Sequence, residues 1–182
     1  ASQTERMANA DARVACFYAR RTLEIAVAWL YKHDQALRLP YQDNLSALIH
    51  EPTFRKTVGD ALFTKARLIK DLGNLAVHGT KKMQPADALN ATRELFHFCY
   101  WLARTYGRAS RPDPGLRFDV NLLPQVIAAA PAQSAEQLQK LEADLHSKDE
   151  HLAALLTDKA ALSDELQSLR EQVAAAKKAN TA

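Results

Sequence analysis

The stretch LQKLEADLHSKDEHLAALLTDKAALSDELQSLREQVAAA, residues 138–176, decides the fold class. Its apolar positions advance by three and then by four: Leu138, Leu141, Leu145, Leu152, Leu155, Leu162, Leu166, Leu169, Val173 and Ala176. A spacing of 3.5 residues is a heptad, which holds one seam closed along a left-handed supercoil. With Leu138 at position a, the two breaks in the series fall in register, Lys148 at a d position and Lys159 at an a position. Fully helical, such a stretch spans roughly 60 Å at about 1.5 Å per residue, so it forms a rod rather than a core element. Glu142, Asp144, Asp149, Glu150, Asp158, Glu165, Arg170 and Glu171 supply solvated flanks. A lysine in the seam has two readings: it narrows register and partner choice, with a partner providing acidic groups, or its stem lies along the seam with the ammonium in water.

Upstream of the rod the text changes. From Gly107 to Ala135 it carries Pro112, Pro114, Pro124 and Pro131 and an alanine run, which reads as a connector over residues 107–135. Within it Leu116, Phe118, Val120, Leu122 and Leu123 are candidates to dock on what precedes. Residues 1–106 show helical periodicity and no persuasive strand pattern. A first helix is predicted from about Glu5 to His33, with Val14, Phe17, Tyr18, Arg21, Ile25, Ala28 and Trp29 on one stripe. Asn44 caps a short helix that Pro52 ends. A third begins near Gly59, with Asp60 as its cap, and runs to Gly79; a fourth follows Pro85 and reaches about Tyr106. The expected fold class is therefore all-α: a small helical bundle over 1–106, the connector, and a coiled coil over 136–178.

Composition is consistent with one modest core beside the rod, since 47% of the 182 residues are hydrophobic and only five are glycine. Every long apolar run is interrupted by charge, so neither a membrane helix nor a signal peptide is expected. Cys16 and Cys99 lie among apolar neighbours without a CxxC companion, as small core residues do in a reducing, cytoplasmic compartment. Charge is uneven. Residues 1–134 hold 18 Lys plus Arg against 12 Asp plus Glu, a net +6, whereas residues 135–182 hold 6 against 9, a net −3. A basic head makes an anionic partner plausible, and Arg20, Arg21, Lys81 and Lys82 are the candidate phosphate contacts, although the basic residues form no continuous tract.

One polar constellation stands out on the third predicted helix. Arg67, Asp71, Asn74 and His78 recur at intervals of four, three and four and so share a face. Such a face is either a cleft in which Asn74 and His78 meet phosphate or move a proton, or a hydrogen-bonded seam between two helices. No metal ligand set is found at recognisable spacing.

Four ordered segments add a resemblance: CFYARRTLEIAVAWLY (16–31), LPYQDNLSALIHEPTF (39–54), LGNLAVHG (72–79) and ELFHFCYWLARTY (94–106). Together they resemble the N-terminal helical domain found ahead of the motor in many bacterial type I restriction enzyme R subunits, over roughly residues 8–106. A heptad rod after that domain is similar to the order in those subunits. The domain looks like a member of the broad HEPN-like superfamily, some of whose members are RNases that use an arginine, four to six intervening residues and then a histidine. Here His78 aligns with the family histidine and Asn74 with its polar companion, but Gly73 stands where the arginine would, and Arg67 lies too early. His33, His50, His97, His146 and His151 also lack an arginine at that separation. Without the group that would hold the scissile phosphate, no catalytic residue is assigned.

What the resemblance implies is a fragment of a larger ATP- and Mg-dependent DNA endonuclease and translocase that works with methylation and specificity subunits in restriction-modification defence. Neither the Gly-Lys-Ser/Thr phosphate loop nor a Glu-x-Lys pair of the implied nuclease occurs in this chain. The expected role is thus a protein-interaction or DNA-backbone docking module with a coiled-coil spacer or homodimeriser, free of cofactor and metal. A degenerate HEPN-type RNase and a purely structural homodimeric spacer are the alternatives.

Overall fold

Helix α1 (Ser2–Met7) and helix α2 (Ala12–His33) divide what periodicity predicted as one helix. The division is local chemistry: the Asp11 carboxylate accepts from the backbone N–H groups of Arg13 and Val14, satisfying donors that a new helix start leaves open. These features belong to a computed structural model that describes residues 2–108, 111–125 and 133–179, with side chains as far as 172. Asn44 caps α3 (Leu45–His50) by accepting from Ala47 N–H. Helix α4 spans Pro52–His78, with Glu51 as its cap, so Pro52 opens a helix as well as closing the one before it. The boundary predicted at Gly59 is instead a break inside α4. Gly59 has φ 79° and ψ 162°, a conformation open to glycine and costly to other residues, and Asp60 pairs with Arg55 Nε at 2.6 Å rather than serving as the helix cap. Helix α5 runs Pro85–Tyr106, as periodicity predicted.

Three long helices form the bundle. Arg20 on α2 meets Gly73 on α4, and Arg13 reaches the carbonyl of Gly79, so α2 and α4 are antiparallel. Lys65 of α4 meets Glu94 and His97 of α5, again antiparallel. Thr22, Ile25 and Trp29 run alongside Cys99, Leu102 and Tyr106, so α2 and α5 are parallel. The core holds Phe17, Leu23, Val27 and Leu30 from α2, Phe54, Ile69 and Val77 from α4, and Leu95 and Phe98 from α5. Phe54 lies between Tyr31 and Phe98, with ring centroids 6.4 and 6.5 Å away. Because α2 is covered from more than one side, its buried face only partly matches the predicted stripe: Val14 and Phe17 are buried, but Ile25, Ala28 and Trp29 turn outward, while Cys16, Ala19 and Leu23 turn in.

Part of the 107–135 stretch is fastened to the bundle. Tyr100 Oη donates to the carbonyls of Asp113 and Pro114, Arg104 Nη1 to Pro112 O, and the Phe118 ring packs 5.8 Å from Phe96. After a single 3-10 turn (Val120–Leu122), Leu123 is buried, whereas Leu116, Val120 and Leu122 face solvent. Asp11 Oδ2 accepts from Gln133 N–H, leading into α6 (Ala135–Ala179). Pro131 and the alanine run lie outside the described residues.

The chain divides into two compact units, 1–139 and 140–182. The first turn of α6 belongs to the first unit: Leu138 is wholly buried and Gln139 Nε2 donates to Val77 O. The first seam residue of the heptad thus anchors the head. In the second unit Leu152, Leu155, Leu162, Leu166 and Leu169 are 49–60% exposed. The side chains of Val173 and Ala176 are outside those described. Every described element is helical, giving an all-α bundle with a long C-terminal helix, and among the described residues no helix is long and apolar enough to cross a membrane.

Candidate functional site

The polar face of α4 is distributed over the surface rather than gathered in a cleft. Arg67, Asp71 and His78 are exposed and Asn74 is half-buried. The Arg67 guanidinium lies 5.7 Å from the Phe63 ring centroid, and Asp71 Oδ1 takes an ion pair from Lys70 at 2.9 Å. Among the described residues Asn74 and His78 have no hydrogen-bond partner, so the stripe is not an interhelical hydrogen-bonded seam either. Gly73 has a packing reason. A Cβ there would stand 2.2 Å from Arg20 Cβ, so the α2–α4 crossing excludes every other side chain, arginine included.

The four candidate phosphate contacts do not converge. The Arg20 stem lies against Gly73, Arg21 Nη1 pairs with Glu24 Oε2 at 2.9 Å, and Lys81 and Lys82 are exposed on the α4–α5 loop. Lys81 contributes its backbone instead. Arg13 Nη2 donates to Lys81 O at 2.7 Å, while Nη1 donates to Gly79 O at 2.8 Å and to Ala76 O. One guanidinium therefore gathers three carbonyls at the C-terminus of α4, where the helix dipole favours a cation.

Two groupings escaped the periodicity argument. At the end of the bundle where α2 and α5 finish, a recess of about 880 Å³ is lined by Trp29, His33, Thr105, Tyr106, Gly107, Arg108 and Arg111. The Trp29 ring lies 4.5 Å from the His33 ring, tilted by 35°, and meets Tyr106 edge-on at 5.6 Å, and the Tyr106 hydroxyl donates to Asp34 Oδ2 at 2.6 Å. Burial and then the Asp34 carboxylate push the Tyr106 pKa far above its ordinary value, so the phenol stays protonated and holds that hydrogen bond. Arg111 Nε donates to Gly107 O at 3.1 Å, and Arg108 is exposed. Two arginines and an imidazole beside two aromatic rings form a surface suited to anions. Three of its contributors sit beyond Tyr106, where helical periodicity has ended, and only the pair Arg108 and Arg111 signalled it.

The other grouping joins α4 to α5. The nearly buried Glu94 carboxylate accepts from Lys65 Nζ and from Arg93 Nε at 3.0 Å, with His97 Nδ1 3.0 Å away. Burial alone would raise the Glu94 pKa, but the hydrogen bonds from Lys65, His97 and Arg93 prevail and draw it down to about 2. Its ionisation is locked by three basic neighbours, the opposite of a carboxyl poised to exchange a proton near neutrality. The Glu94–His97 spacing of three on one helix was the legible half of this cluster; Lys65 is 29 residues away in sequence.

The thiols are quiet. Burial, then Asp87 and Asp11, push the Cys16 pKa up to about 12, and burial raises that of Cys99. Among the described residues no group of three His, Cys, Asp or Glu could hold a metal ion. No curated protein and no solved structure matches the chain. Residues 2–144 match the family described as Domain of unknown function (DUF4145), and the chain belongs to that family.

Proposed function

We propose that the chain is a non-catalytic docking module: the helical head binds the DNA backbone, and the rod sets distance or joins copies. The resemblance carried by residues 16–31, 39–54, 72–79 and 94–106 frames it as the N-terminal part of a type I restriction enzyme R subunit. ATP, Mg and the nuclease and motor activities would belong to the rest of such a subunit, and the methylation and specificity subunits would be its partners.

The observation that carries the docking role is the recess at the ends of α2 and α5, where His33, Arg108 and Arg111 surround Trp29 and Tyr106. Two guanidinium groups beside aromatic rings suit phosphate contact without base readout. Against catalysis stands the α4 face, where Gly73 is closed by Arg20 and His78 is left without a partner to orient it.

Fluorescence anisotropy with a 30-base-pair duplex tests the reading. Two or three neutralised phosphates give a slope of log K on log salt of about −2 to −3 and dissociation constants on the order of 10⁻⁴–10⁻⁶ M. The double variant Arg108→Glu/Arg111→Glu is expected to weaken binding at least about tenfold at low salt. Absence of measurable DNA binding at about 50 mM salt would sink the docking role. An RNA-cleavage assay guards the other flank: wild type and His78→Ala should share one background, and cleavage lost in the variant would overturn the non-catalytic assignment.

A further inference from the structure

From Leu152 onward the rod leaves its leucines about half exposed or more, and its own sequence specifies what covers them. We infer that two copies of this chain pair through α6 in antiparallel orientation, in the register that sets each seam residue opposite the seam residue whose number completes 314, with the two-fold axis beside Thr157. The inference deepens the proposed role of the rod as a joining element and rests on that reading.

The two seam lysines select this arrangement. In a parallel, in-register pair Lys148 faces Lys148 of the second copy and Lys159 faces Lys159, two like-charge layers inside an apolar seam. On the flanks Asp144 would also meet Asp149 of the second copy. In an antiparallel pair each a residue faces a d residue, and registers differ by steps of seven. The register completing 307 opposes Lys148 to Lys159. The one completing 300 leaves Leu166 and Leu169 without partners, and the one completing 321 sets Asp158 against Glu165 twice.

The register completing 314 opposes no lysine to a lysine and leaves no seam leucine without a partner, and its one like-charge contact, Asp158 against its own copy at the axis, stands where the register completing 321 has two. It stacks Leu145 on Leu169 and Leu152 on Leu162, and it gives each lysine an apolar partner, Lys148 on Leu166 and Lys159 on Leu155. Each lysine stem then covers a leucine while its ammonium reaches the edge of the pair. Acidic groups wait there: Glu165 adjoins Leu166 on the second copy, and Asp158 stands next to the two-fold axis. Flanking pairs agree, with Glu142 opposite Arg170 and His151 opposite Glu165. Leu156, 66% exposed at an e position, meets its own copy across the axis and explains an apolar residue off the seam.

Orientation has a consequence for the heads. Parallel pairing would start both rods at one end and bring together two heads that each carry +6 over residues 1–134. Antiparallel pairing puts the two Lys140 residues about 50 Å apart by helical rise, several Debye lengths at physiological salt.

Cysteine cross-linking of the full chain reads the orientation, with wild type as the control for Cys16 and Cys99. Leu156→Cys should oxidise to a disulfide-linked dimer, because its sulfurs meet across the axis. Leu162→Cys should not, because in this register its counterpart is Leu152 and the two substituted positions lie about 15 Å apart along the rod. Sedimentation under reducing conditions checks that both variants still dimerise. Cross-linking at 162 but not at 156 overturns the orientation while leaving the rod a joining element. A strictly monomeric wild type at high concentration overturns both.

Discussion

At the residue scale, Glu94 is the clearest case of a side chain whose energetics follow from its neighbours. Its pKa, drawn from 4.5 to about 2, means that the folded state favours the ionised form. The corresponding stability is complete above the unfolded-state pKa and disappears as pH falls from about 5 through about 2. Lys65, His97 and Arg93 are each more than a quarter exposed, which screens the effect, so about 1–3 kcal/mol is expected. Urea titrations at pH 7 and pH 3 should show wild type losing most of that amount beyond Glu94→Gln, whose curve is flatter over the interval. Equal pH responses would mean that the cluster contributes nothing net. Gly73 makes a steric prediction at the same scale. Alanine there gains helix propensity of about 1 kcal/mol but forces the Arg20 stem and α2 away from α4, an overpacking cost of about 1–3 kcal/mol. Gly73→Ala should therefore lower the urea midpoint, and a gain in stability would show that Arg20 yields without cost.

At the element scale, α4 depends on a side chain from another helix. Arg13 satisfies carbonyls that the helix end and its following loop would otherwise leave to water. Arg13→Ala should cost about 2 kcal/mol and selectively speed hydrogen exchange in the last turn of α4. Arg13→Lys should recover only part, since one ammonium cannot span three carbonyls. Unchanged exchange at residues 74–80 in the alanine variant would remove the latch. What sequence revealed about these elements tracks how local their causes are. The Asn44 cap, the span of α5 and the heptads are written in residues a few positions apart, and they were legible. The start of α4 was not, because a proline both closes one helix and opens the next, and Gly59 resembles a boundary when it is a break inside the helix. The buried face of α2 was misplaced because contact with α4 and α5 makes more than one of its sides apolar. Of the site, the α4 polar stripe was visible as a period, yet its openness and the Arg20–Gly73 contact are tertiary facts. The recess formed by Trp29, His33, Arg108 and Arg111 joins residues as much as 82 positions apart (111 − 29) and leaves no periodic trace.

For the whole molecule, the decisive contrast is between a head that buries its apolar surface and a rod that does not. The compact unit ends at Gln139 and the family match at 144, so the leucines from 145 onward belong to neither. A single helix with half-exposed leucines draws little from tertiary packing, the main source of helix stability in folded proteins. On the proposed pairing its helicity depends on association, whereas that of α2, α4 and α5 is fixed by the core. Thermal unfolding followed by far-ultraviolet circular dichroism should show two transitions. The first, carrying the signal of about 40 residues of α6, should rise in midpoint with protein concentration as mass action requires, and the second should be independent of concentration. Both should respond differently to substitution: Leu155→Ala, in the seam, lowers only the first, and Phe54→Ala, in the core, lowers the second by about 3–5 kcal/mol. A single concentration-independent transition that carries all the helical signal would mean that the rod is stabilised within one chain and that its leucines are not covered by a second.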